Sequence, residues 1–399
     1  MGEKRKLMLL SPMLHQGGFE RVCITTARLM EPYFDVTIVV FNSANIAYDV
    51  EGLHIIDLQL GVKKGKLKKL WNIVRRSRKL RRLKKEMRPD IVYSFGPSAN
   101  MVNAFSRTGH EKVWLGLRNY TDVEEKVKIS LFVRLADRII CCSKEIEKEL
   151  KNTYRFTKTA TLYNLYDVEL IRRTAALKEP ELPWEETPGK KLRYLVSMGR
   201  DDDMKGFWHM LKVFSLVRAR IPEARLILMG AGSFSHYKEL AKNLRIEDSV
   251  CFAGMQKEPY HYLKKGEVYL LTSRNEGFPN ALVEGMALGL APVSVNCMTG
   301  PAEILLEDGD TSRFRQLKER GKTPVIYGKY GILVPEMEKE RNLDPADISQ
   351  EERNMAEIVI ALLTDPKRLA QYRQAAKERA QIFTYESYVK RFLELSEMS

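Results

Sequence analysis

The sequence lacks the features that mark secreted, zinc-binding and membrane-spanning proteins. Its 399 residues include five cysteines, an odd number without C-x-x-C spacing, and this pattern suits reduced thiols better than disulfides or zinc. The six histidines are dispersed and form no pair with metal-ligand spacing. No apolar run approaches the roughly 20 residues of a membrane span, and Lys6 stands where a myristoylation signal needs Ser or Thr. These absences predict a cytoplasmic protein.

Acidic residues are scarce in one segment, residues 63–88. The whole chain carries a formal charge of +14, and this segment alone contains fourteen Lys or Arg and one Glu. Its apolar residues recur at spacings of three, four and six, which predicts a helix with one apolar stripe. The stripe consists of Leu67, Leu70, Val74, Leu80, Leu83 and Met87.

The outer face of this helix has two interpretations. It could be an ordinary solvated surface, but so many like charges repel one another in water. An anionic lipid surface would relieve that repulsion by about 1 kcal/mol per basic residue. We therefore expect contact with an anionic membrane surface through 63–88, with Trp71 at the headgroup boundary, and attachment to the inner face of the cell membrane.

Each half of the chain alternates apolar strand-like segments with longer helical patterns, which is typical of βαβ units and parallel sheets. Residues 176–191 contain three prolines and interrupt this alternation, as a linker would. We predict an α/β protein with two doubly wound, Rossmann-like domains facing across a cleft. Their predicted bounds are 1–175 and 192–378, with 379–399 forming a helix that returns to the first domain.

The stretch "SRNEGFPNALVEGMALG", Ser273 to Gly289, places one glutamate before a helix and a second inside it. Pro279 fits the first turn of a helix, because a missing N–H costs nothing there. Glu276 then lies on a strand-to-helix loop, and Glu284 lies just over one turn into the helix. The unpaired N–H groups of a helix start suit a phosphate, and carboxylates accept hydrogen bonds from hydroxyls. Together they predict a pocket for a phosphorylated polyol.

An ordered set of motifs resembles the family 4 glycosyltransferases, which are retaining enzymes of the GT-B architecture. Residues 195–305 contain "VSMGRDDDMKGF", "LILMGAG", "VCFAGMQKEPYHYL", "SRNEGFPNALVEGMALGLAPVS" and "GPAEIL", and the first half adds "HQGGFERV", "RPDIVYS" and "LYNLYD". The resemblance covers essentially the whole chain. It implies transfer of a hexose or N-acetylhexosamine from a nucleotide diphosphate sugar, most commonly a UDP-sugar. The implied acceptor is a hydroxyl of a lipid-linked glycan or a surface polysaccharide.

The resemblance also implies roles for particular residues. Arg200 and Lys205 would bind the diphosphate, Glu276 would lie against the donor sugar, and Glu284 would hold the ribose hydroxyls. The other implied donor-binding residues are Gly17, Gly18, Met255, Gln256, Gly277, Phe278, Pro279, Asn280, Ala281 and Leu282.

One departure from the family concerns the transferred sugar. Many members carry a histidine after the strand equivalent to "KVWLGL", where this chain has Arg118 and Asn119. These two residues and His15, which precedes the Gly-Gly pair, are therefore candidates for contact with the acceptor or the sugar.

Two further segments have open interpretations. Asp201 to Asp203 resemble the metal-binding D-x-D of another glycosyltransferase architecture, but acids beside a diphosphate would repel it. We interpret them as cap or loop residues and expect neither an essential metal nor another cofactor. Residues 308–330 lengthen a link that is usually short in the family. They form either a surface loop or a cover over the cleft.

Three other functions are compatible with parts of the sequence. A basic nucleic-acid-binding protein would explain the charge, but the charge lies on one helix without interleaved aromatics, so we expect no nucleic acid partner. A non-catalytic sugar-nucleotide scaffold would keep the pocket without its chemistry. A GT-B nucleotide-sugar epimerase or hydrolase would share the architecture without this arrangement of "EGFPN" and "GPAEIL".

Overall fold

The structure is a computed structural model, and it describes residues 3–15, 17–61, 65–185, 191–307 and 324–398. The chain divides into two compact units. Unit 1 comprises Met1–Leu165 and Tyr385–Ser399, and unit 2 comprises Tyr166–Thr384. Each unit is built around its own largely parallel sheet.

Unit 1 contains a seven-stranded sheet in the order β3-β2-β1-β4-β5-β6-β7 within its described residues. All of its neighbouring strands are parallel. The strands are β1 Arg5–Ser11, β2 Phe34–Val40, β3 Ile55–Asp57, β4 Ile91–Phe95, β5 Lys112–Leu117, β6 Arg138–Cys141 and β7 Thr159–Thr161. The helices are α1 Gly18–Met30, α2 Lys66–Met87, α3 Pro97–Phe105, α4 Thr121–Glu124, α5 Lys126–Leu135, α6 Lys144–Thr153 and, from the chain end, α15 Tyr385–Glu397.

Unit 2 repeats the pattern with the strand order β10-β9-β8-β11-β12-β14-β13. Only the pairing of β13 with β14 is antiparallel among its described strands. The strands are β8 Arg193–Met198, β9 Ala224–Met229, β10 Val250–Gly254, β11 Val268–Leu271, β12 Ala291–Val295, β13 Ile326–Tyr327 and β14 Ile332–Val334. The helices are α7 Val168–Ala176, α8 Phe207–Arg220, α9 Ser235–Asn243, α10 Tyr260–Lys265, α11 Asn280–Ala287, α12 Pro301–Leu305, α13 Gln350–Thr364 and α14 Pro366–Ala380, with short 3-10 turns at Asp203–Lys205, Glu247–Ser249 and Gln381–Phe383.

The central strands are apolar on both faces because helices cover both sides of each sheet. In β1, for example, Leu7 to Leu10 are each at most 1% exposed. Both strand orders change from descending to ascending at one point, between β1 and β4 and between β8 and β11. In such sheets ligands bind beyond the carboxyl ends of the strands at the reversal point. The predicted fold class, two doubly wound α/β domains, is therefore confirmed.

The division between the units lies earlier than the predicted bound at residue 175. Helix α7 belongs to unit 2, where the Nε of Arg172 donates to the carbonyl of Ala287 at 3.1 Å. The chain leaves unit 2 again after Thr384, and α15 packs in the core of unit 1 through Tyr388, Phe392 and Leu395. Periodicity alone could not locate these crossovers, because it predicts the type of each element and not the sheet on which the element packs.

The proline-containing segment 176–191 is not a free linker in its described part. Trp184 donates from Nε1 to the carbonyl of Asp248 at 2.6 Å, and the guanidinium of Arg225 lies 5.6 Å from its ring centre. Glu179 is ion-paired with Lys265 at 2.7 Å. The segment is therefore packed on unit 2, while 186–190 lie outside the described residues.

The end of the segment 308–330 forms part of the second sheet. Residues Ile326–Tyr327 are β13, which pairs with β14. Residues 308–323 lie outside the described part of the chain, so the two interpretations of that stretch stay open.

Helix α2 confirms the second half of the predicted stripe, because Leu80 is buried and Leu83 and Met87 pack against the same core cluster. Its inward face contains Leu80 together with Asn72, Arg76, Ser77 and Lys84, all less than a tenth exposed. Leu70, a member of the predicted apolar stripe, is instead 62% exposed. The prediction is wrong for Leu70 and missed the buried polar residues, because long basic side chains reach backbone carbonyls and a buried carboxylate, which hydrophobic periodicity does not register. The side chain of Leu67 lies outside the described residues.

Candidate functional site

Two loops of unit 2 are joined at the carboxyl ends of β8 and β11. Gly206 adopts a left-handed backbone with φ +62°, and a Cβ there would lie 2.3 Å from the carbonyl oxygen of Thr272. The hydroxyl of Thr272 donates to the carbonyl of Lys205 at 3.0 Å. The N–H of Arg274 donates to the carbonyl of Met204 at 2.9 Å. Only glycine permits this close approach, which places Lys205 beside the loop that carries Glu276.

The two candidate charged groups meet in an ion pair. Lys205 Nζ donates to Glu276 Oε1 at 2.6 Å, and the two side chains are 24% and 12% exposed. The hydroxyl of Thr299 donates to the backbone carbonyl of Glu276 and ties this loop to the one after β12. Arg200 is different, because its side chain is 72% exposed and, within the described part of the chain, is ion-paired with Asp202 alone, at 3.7 Å. The cation of Arg200 is therefore accessible to an anion.

Helix α11 starts directly after this ion pair. Its N-cap residue, Pro279, provides no side-chain cap, and the N–H of Leu282 donates to the Pro279 carbonyl at 3.2 Å. The positive dipole end of such a helix start favours an anion nearby. Glu284 lies on the second turn of α11 and is 1% exposed. Gly285 lies against the Tyr269 ring, which a Cβ there would approach to 2.8 Å.

Tyr269 is a site residue that the sequence reasoning missed. Burial raises the pKa of its phenol, and the nearby charges of Glu276 and Glu284 raise it further. The phenol therefore stays protonated next to both carboxylates. Its position in an apolar strand, "VYLL", offers no signal of this role.

Three consecutive side chains before Glu276 hold buried polar atoms without a protein partner in the described residues. They are Ser273 Oγ, Arg274 Nε and Asn275 Oδ1. Buried polar groups are normally hydrogen-bonded, so three orphaned atoms in one loop indicate a place where a polar ligand completes the bonding. The polar run "SRN" between an apolar strand and a glycine was a usable sequence signal for them.

The loop predicted to contact the base follows β10. Met255 is 59% exposed, whereas Gln256 donates from Nε2 to the carbonyl of Ala253 at 2.6 Å. Met255 thus presents an apolar surface, and Gln256 stabilises the turn.

The three aspartates after Arg200 have protein partners. Asp201 accepts from the N–H of Phe234 at 2.7 Å, and Asp202 accepts from the N–H of Met204 at 2.9 Å. Asp203 is ion-paired with Arg341 at 3.1 Å. Asp201 and Asp202 thus cap turns, as interpreted from the sequence, and the described residues contain no cluster of three His, Cys, Asp or Glu suited to a metal.

The candidates in unit 1 lie beyond the carboxyl ends of its strands. Gly17 precedes α1 in an extended conformation with φ −170°, and its N–H and carbonyl both bond to the hydroxyl of Tyr48, at 2.9 and 2.7 Å. Gly18 is the first residue of that helix. A Cβ at Gly17 would collide with the side chain of Glu20. His15 bonds through Nε2 to the carbonyl of Ala44 at 2.9 Å.

Arg118 points into unit 1. It donates from Nη1 to Asn164 at 3.1 Å and from Nη2 to the hydroxyl of Tyr93 at 2.8 Å. Its guanidinium carbon lies 4.9 Å from the ring centre of Phe95. Asn119 donates from its backbone N–H to Asp122 at 3.1 Å. Arg118 thus organises the polar end of a core, a role that its position in the sequence did not reveal.

The arrangement in unit 2 combines an accessible arginine, an ion-paired lysine, a helix start without a side-chain cap and two carboxylates. Two family models match the chain: "Glycosyltransferase Family 4" over residues 16–170 and "Glycosyl transferases group 1" over residues 178–312. The chain belongs to the glycosyltransferases that these two models describe.

Relatives of this glycosyltransferase extend over most of its length. An uncharacterized glycosyltransferase of Methanocaldococcus jannaschii is 28% identical over 80% of this chain and 83% of its own. The Campylobacter jejuni N-acetylgalactosamine-N,N'-diacetylbacillosaminyl-diphospho-undecaprenol 4-alpha-N-acetylgalactosaminyltransferase is 25% identical over 95% of this chain and 96% of its own.

Solved structures share the fold. Anabaena Alr3699/HepE in complex with UDP-glucose superposes with a TM-score of 0.71 at 18% identity, over 99% of this chain and 100% of that one. Sucrose-phosphate synthase from Thermosynechococcus elongatus gives a TM-score of 0.72 at 15% identity, over 99% of both chains. The architecture of the glycosyltransferase is therefore GT-B.

Proposed function

We propose that this glycosyltransferase moves a hexose or N-acetylhexosamine from a UDP-sugar to a hydroxyl of a lipid-linked or surface-polysaccharide acceptor, with retention of configuration. The observation that carries the proposal is the Lys205–Glu276 ion pair directly before the uncapped start of α11. The UDP-glucose complex of the Anabaena protein and the diphospho-undecaprenol in the name of the Campylobacter relative support the choice of donor and acceptor.

The leaving diphosphate gains negative charge as the sugar bond breaks. The charges of Lys205 and Arg200 and the first N–H groups of α11 would stabilise it, an electrostatic effect that commonly dominates such catalysis. Glu284 would hold the ribose. No step requires a metal, so we propose that the enzyme needs none.

Glu276 would orient the sugar hydroxyls and support the oxocarbenium-like state. Its carboxylate is already held by the Lys205 ammonium at 2.6 Å, which favours an orienting role over that of a nucleophile. A covalent glycosyl intermediate on Glu276 is the alternative mechanism, and a same-face substitution does not require it.

Donor choice is tested with thermal unfolding in the presence of UDP, GDP and ADP. A nucleotide at 100 times its Kd should raise the unfolding free energy by about 2.7 kcal/mol. Proton NMR of the glycoside formed from a UDP-α-sugar then decides the stereochemistry. An α product supports retention, whereas a β product would exclude the proposed mechanism.

We further propose that the outer face of α2 binds an anionic membrane surface. The exposed residues of this face combine Leu70 and Trp71, 62% and 52% exposed, with basic side chains. Seven basic side chains of this face have no hydrogen bond or ion pair within the described residues. They are Lys68, Lys69, Arg75, Arg78, Arg81, Arg82 and Lys85. No helix in the described ranges is long and apolar enough to span a bilayer. Surface attachment is thus the form of membrane contact that these residues support.

Liposome sedimentation tests this attachment with two variants of equal charge change. The first replaces four outward residues of α2 with Gln: Arg75, Arg78, Arg82 and Lys85. The control replaces four exposed lysines of unit 2 with Gln: Lys238, Lys242, Lys339 and Lys367. At about 1 kcal/mol per charge, the first variant should bind anionic vesicles about a thousandfold more weakly, and the control should bind like the original. Equal binding to neutral vesicles would exclude the electrostatic mechanism.

A further inference from the structure

Two aromatic side chains, those of Tyr166 and Phe383, contact the residues on either side of Pro279 in the loop before α11. On one side, the hydroxyl of Tyr166 donates to Oδ1 of Asn280, the first residue of α11, at 2.6 Å. Tyr166 is only 3% exposed. Because Tyr166 is buried, water competes little for its hydrogen bond to Asn280.

On the other side, Phe278 packs against Phe383. Their ring centres are 5.2 Å apart with an interplanar angle of 71°, an edge-to-face contact. The two residues are 5% and 3% exposed. Such aromatic pairs contribute beyond the area they bury, so Phe383 restricts the position of the Phe278 backbone.

Both contacts come from the places where the chain passes between the two units. Tyr166 is the first residue of unit 2, and Phe383 is the last but one. The N–H of Tyr166 donates to the carbonyl of Phe383 at 2.9 Å, and Tyr166 forms a parallel bridge with Thr384. The two crossovers are therefore joined to each other and to the same loop.

The start of α11 has no side-chain cap, so the direction of its first N–H groups depends on the loop that precedes it. We infer that Tyr166 and Phe383 are positioning residues. They lie at the crossovers of the chain and orient the start of α11 towards the distal phosphate of the donor. The inference rests on the proposed function, because it concerns the same donor site. Tyr166 acts through Asn280 and does not itself touch the donor.

Calorimetric titration of UDP and UMP into a Tyr166→Phe variant tests the inference. The phenyl ring still fills its site, and the hydrogen bond from the hydroxyl to Asn280 is lost. One such bond corresponds to about a fivefold change in affinity. Affinity for UDP should fall by that factor, whereas affinity for UMP, which lacks the distal phosphate, should stay the same.

Tyr154→Phe is the matched control. It removes a half-buried hydroxyl that donates to the Val123 carbonyl at 2.9 Å within unit 1, and it should change neither affinity. An Asn280→Ala variant completes a double-mutant cycle with Tyr166→Phe. The double variant should bind UDP no more weakly than Asn280→Ala alone, because both changes remove the same bond.

The outcomes separate this inference from the proposed function. If the unmodified protein binds neither nucleotide, the proposed function fails and the inference fails with it. If it binds UDP but Tyr166→Phe binds UDP equally well, only the positioning role is refuted. Equal weakening of UDP and UMP would show a general structural role of Tyr166 and would also refute the inference.

Discussion

The buried ion pair between Lys84 and Glu111 allows a quantitative test of how α2 is attached. Lys84 Nζ lies 2.9 Å from Glu111 Oε1, and both side chains are 0% exposed. The ammonium also donates to Oδ1 of Asn103 at 2.8 Å, and the Thr108 hydroxyl donates to the carboxylate. Burial lowers the pKa of Lys84 to about 8, although the charge of Glu111 opposes this decrease. The carboxylate of Glu111 therefore favours the charged form of Lys84 at neutral pH.

Replacing Glu111 with Gln keeps the shape and removes the countercharge. Breaking a buried ion pair on one side typically costs about 3–5 kcal/mol of unfolding free energy. This loss of unfolding free energy has a similar upper bound, because the folded variant can instead release the Lys84 proton. At pH 7, starting from the ordinary lysine pKa of 10.5, that release costs about 5 kcal/mol.

The pH dependence of the Glu111→Gln variant has a defined sign. Without the carboxylate, the pKa of folded Lys84 drops below its present value of about 8, while the unfolded value stays at 10.5. Between these two values the unfolded chain binds more protons, so stability rises with pH. The variant should therefore recover part of its lost stability from pH 7 to pH 9, and this contribution should disappear as pH falls through the folded pKa.

Guanidinium unfolding at pH 7 and pH 9 measures both effects. Glu86→Gln is the matched control, since Glu86 is an exposed acid on the same helix, and the free energy should change little. A loss below about 1 kcal/mol in Glu111→Gln, or a deficit that grows towards pH 9, would refute the reasoning about the buried charge.

Three other predictions concern unit 2. Glu276→Ala should lower kcat by a factor of about 10²–10³ and leave UDP affinity nearly unchanged, whereas Glu284→Gln should mainly weaken UDP binding. Equal losses of UDP affinity in calorimetry would exclude this division of roles. Activity should survive EDTA, because the carboxylates of 201–203 have protein partners; complete loss restored by Mn²⁺ would place them in the active site. Gly206→Ala should destabilise the protein by about 2–3 kcal/mol through its clash with Thr272. In thermal unfolding the loss should be clearly larger than for Gly52→Ala, where φ is +81° but no atom lies within 4 Å. Similar losses in the two variants would mean that only backbone strain matters.

Local patterns predicted the elements that form the candidate site. Apolar runs flanked by turns predicted β11, and Pro279 with the following helix formers predicted α11. Both features depend on neighbouring residues, so they can be recognised in the sequence. The prediction that Glu276 precedes the helix and Glu284 lies inside it follows from the same local rules, and the structure places both residues there.

Contacts between distant residues were decided only by the tertiary structure. Lys84 and Arg76 turn inwards on a helix whose composition predicts outward charge, because their partners, Glu111 and the Leu60 carbonyl, come from other elements. The link from Tyr166 to Asn280 spans 114 positions, and no periodicity carries information over that distance. Short-range sterics and hydrophobic patterning therefore decide which segments become strands and helices, and both can be recognised in the sequence. Which charges are buried, and what holds the start of α11, depended on packing between segments far apart in the chain.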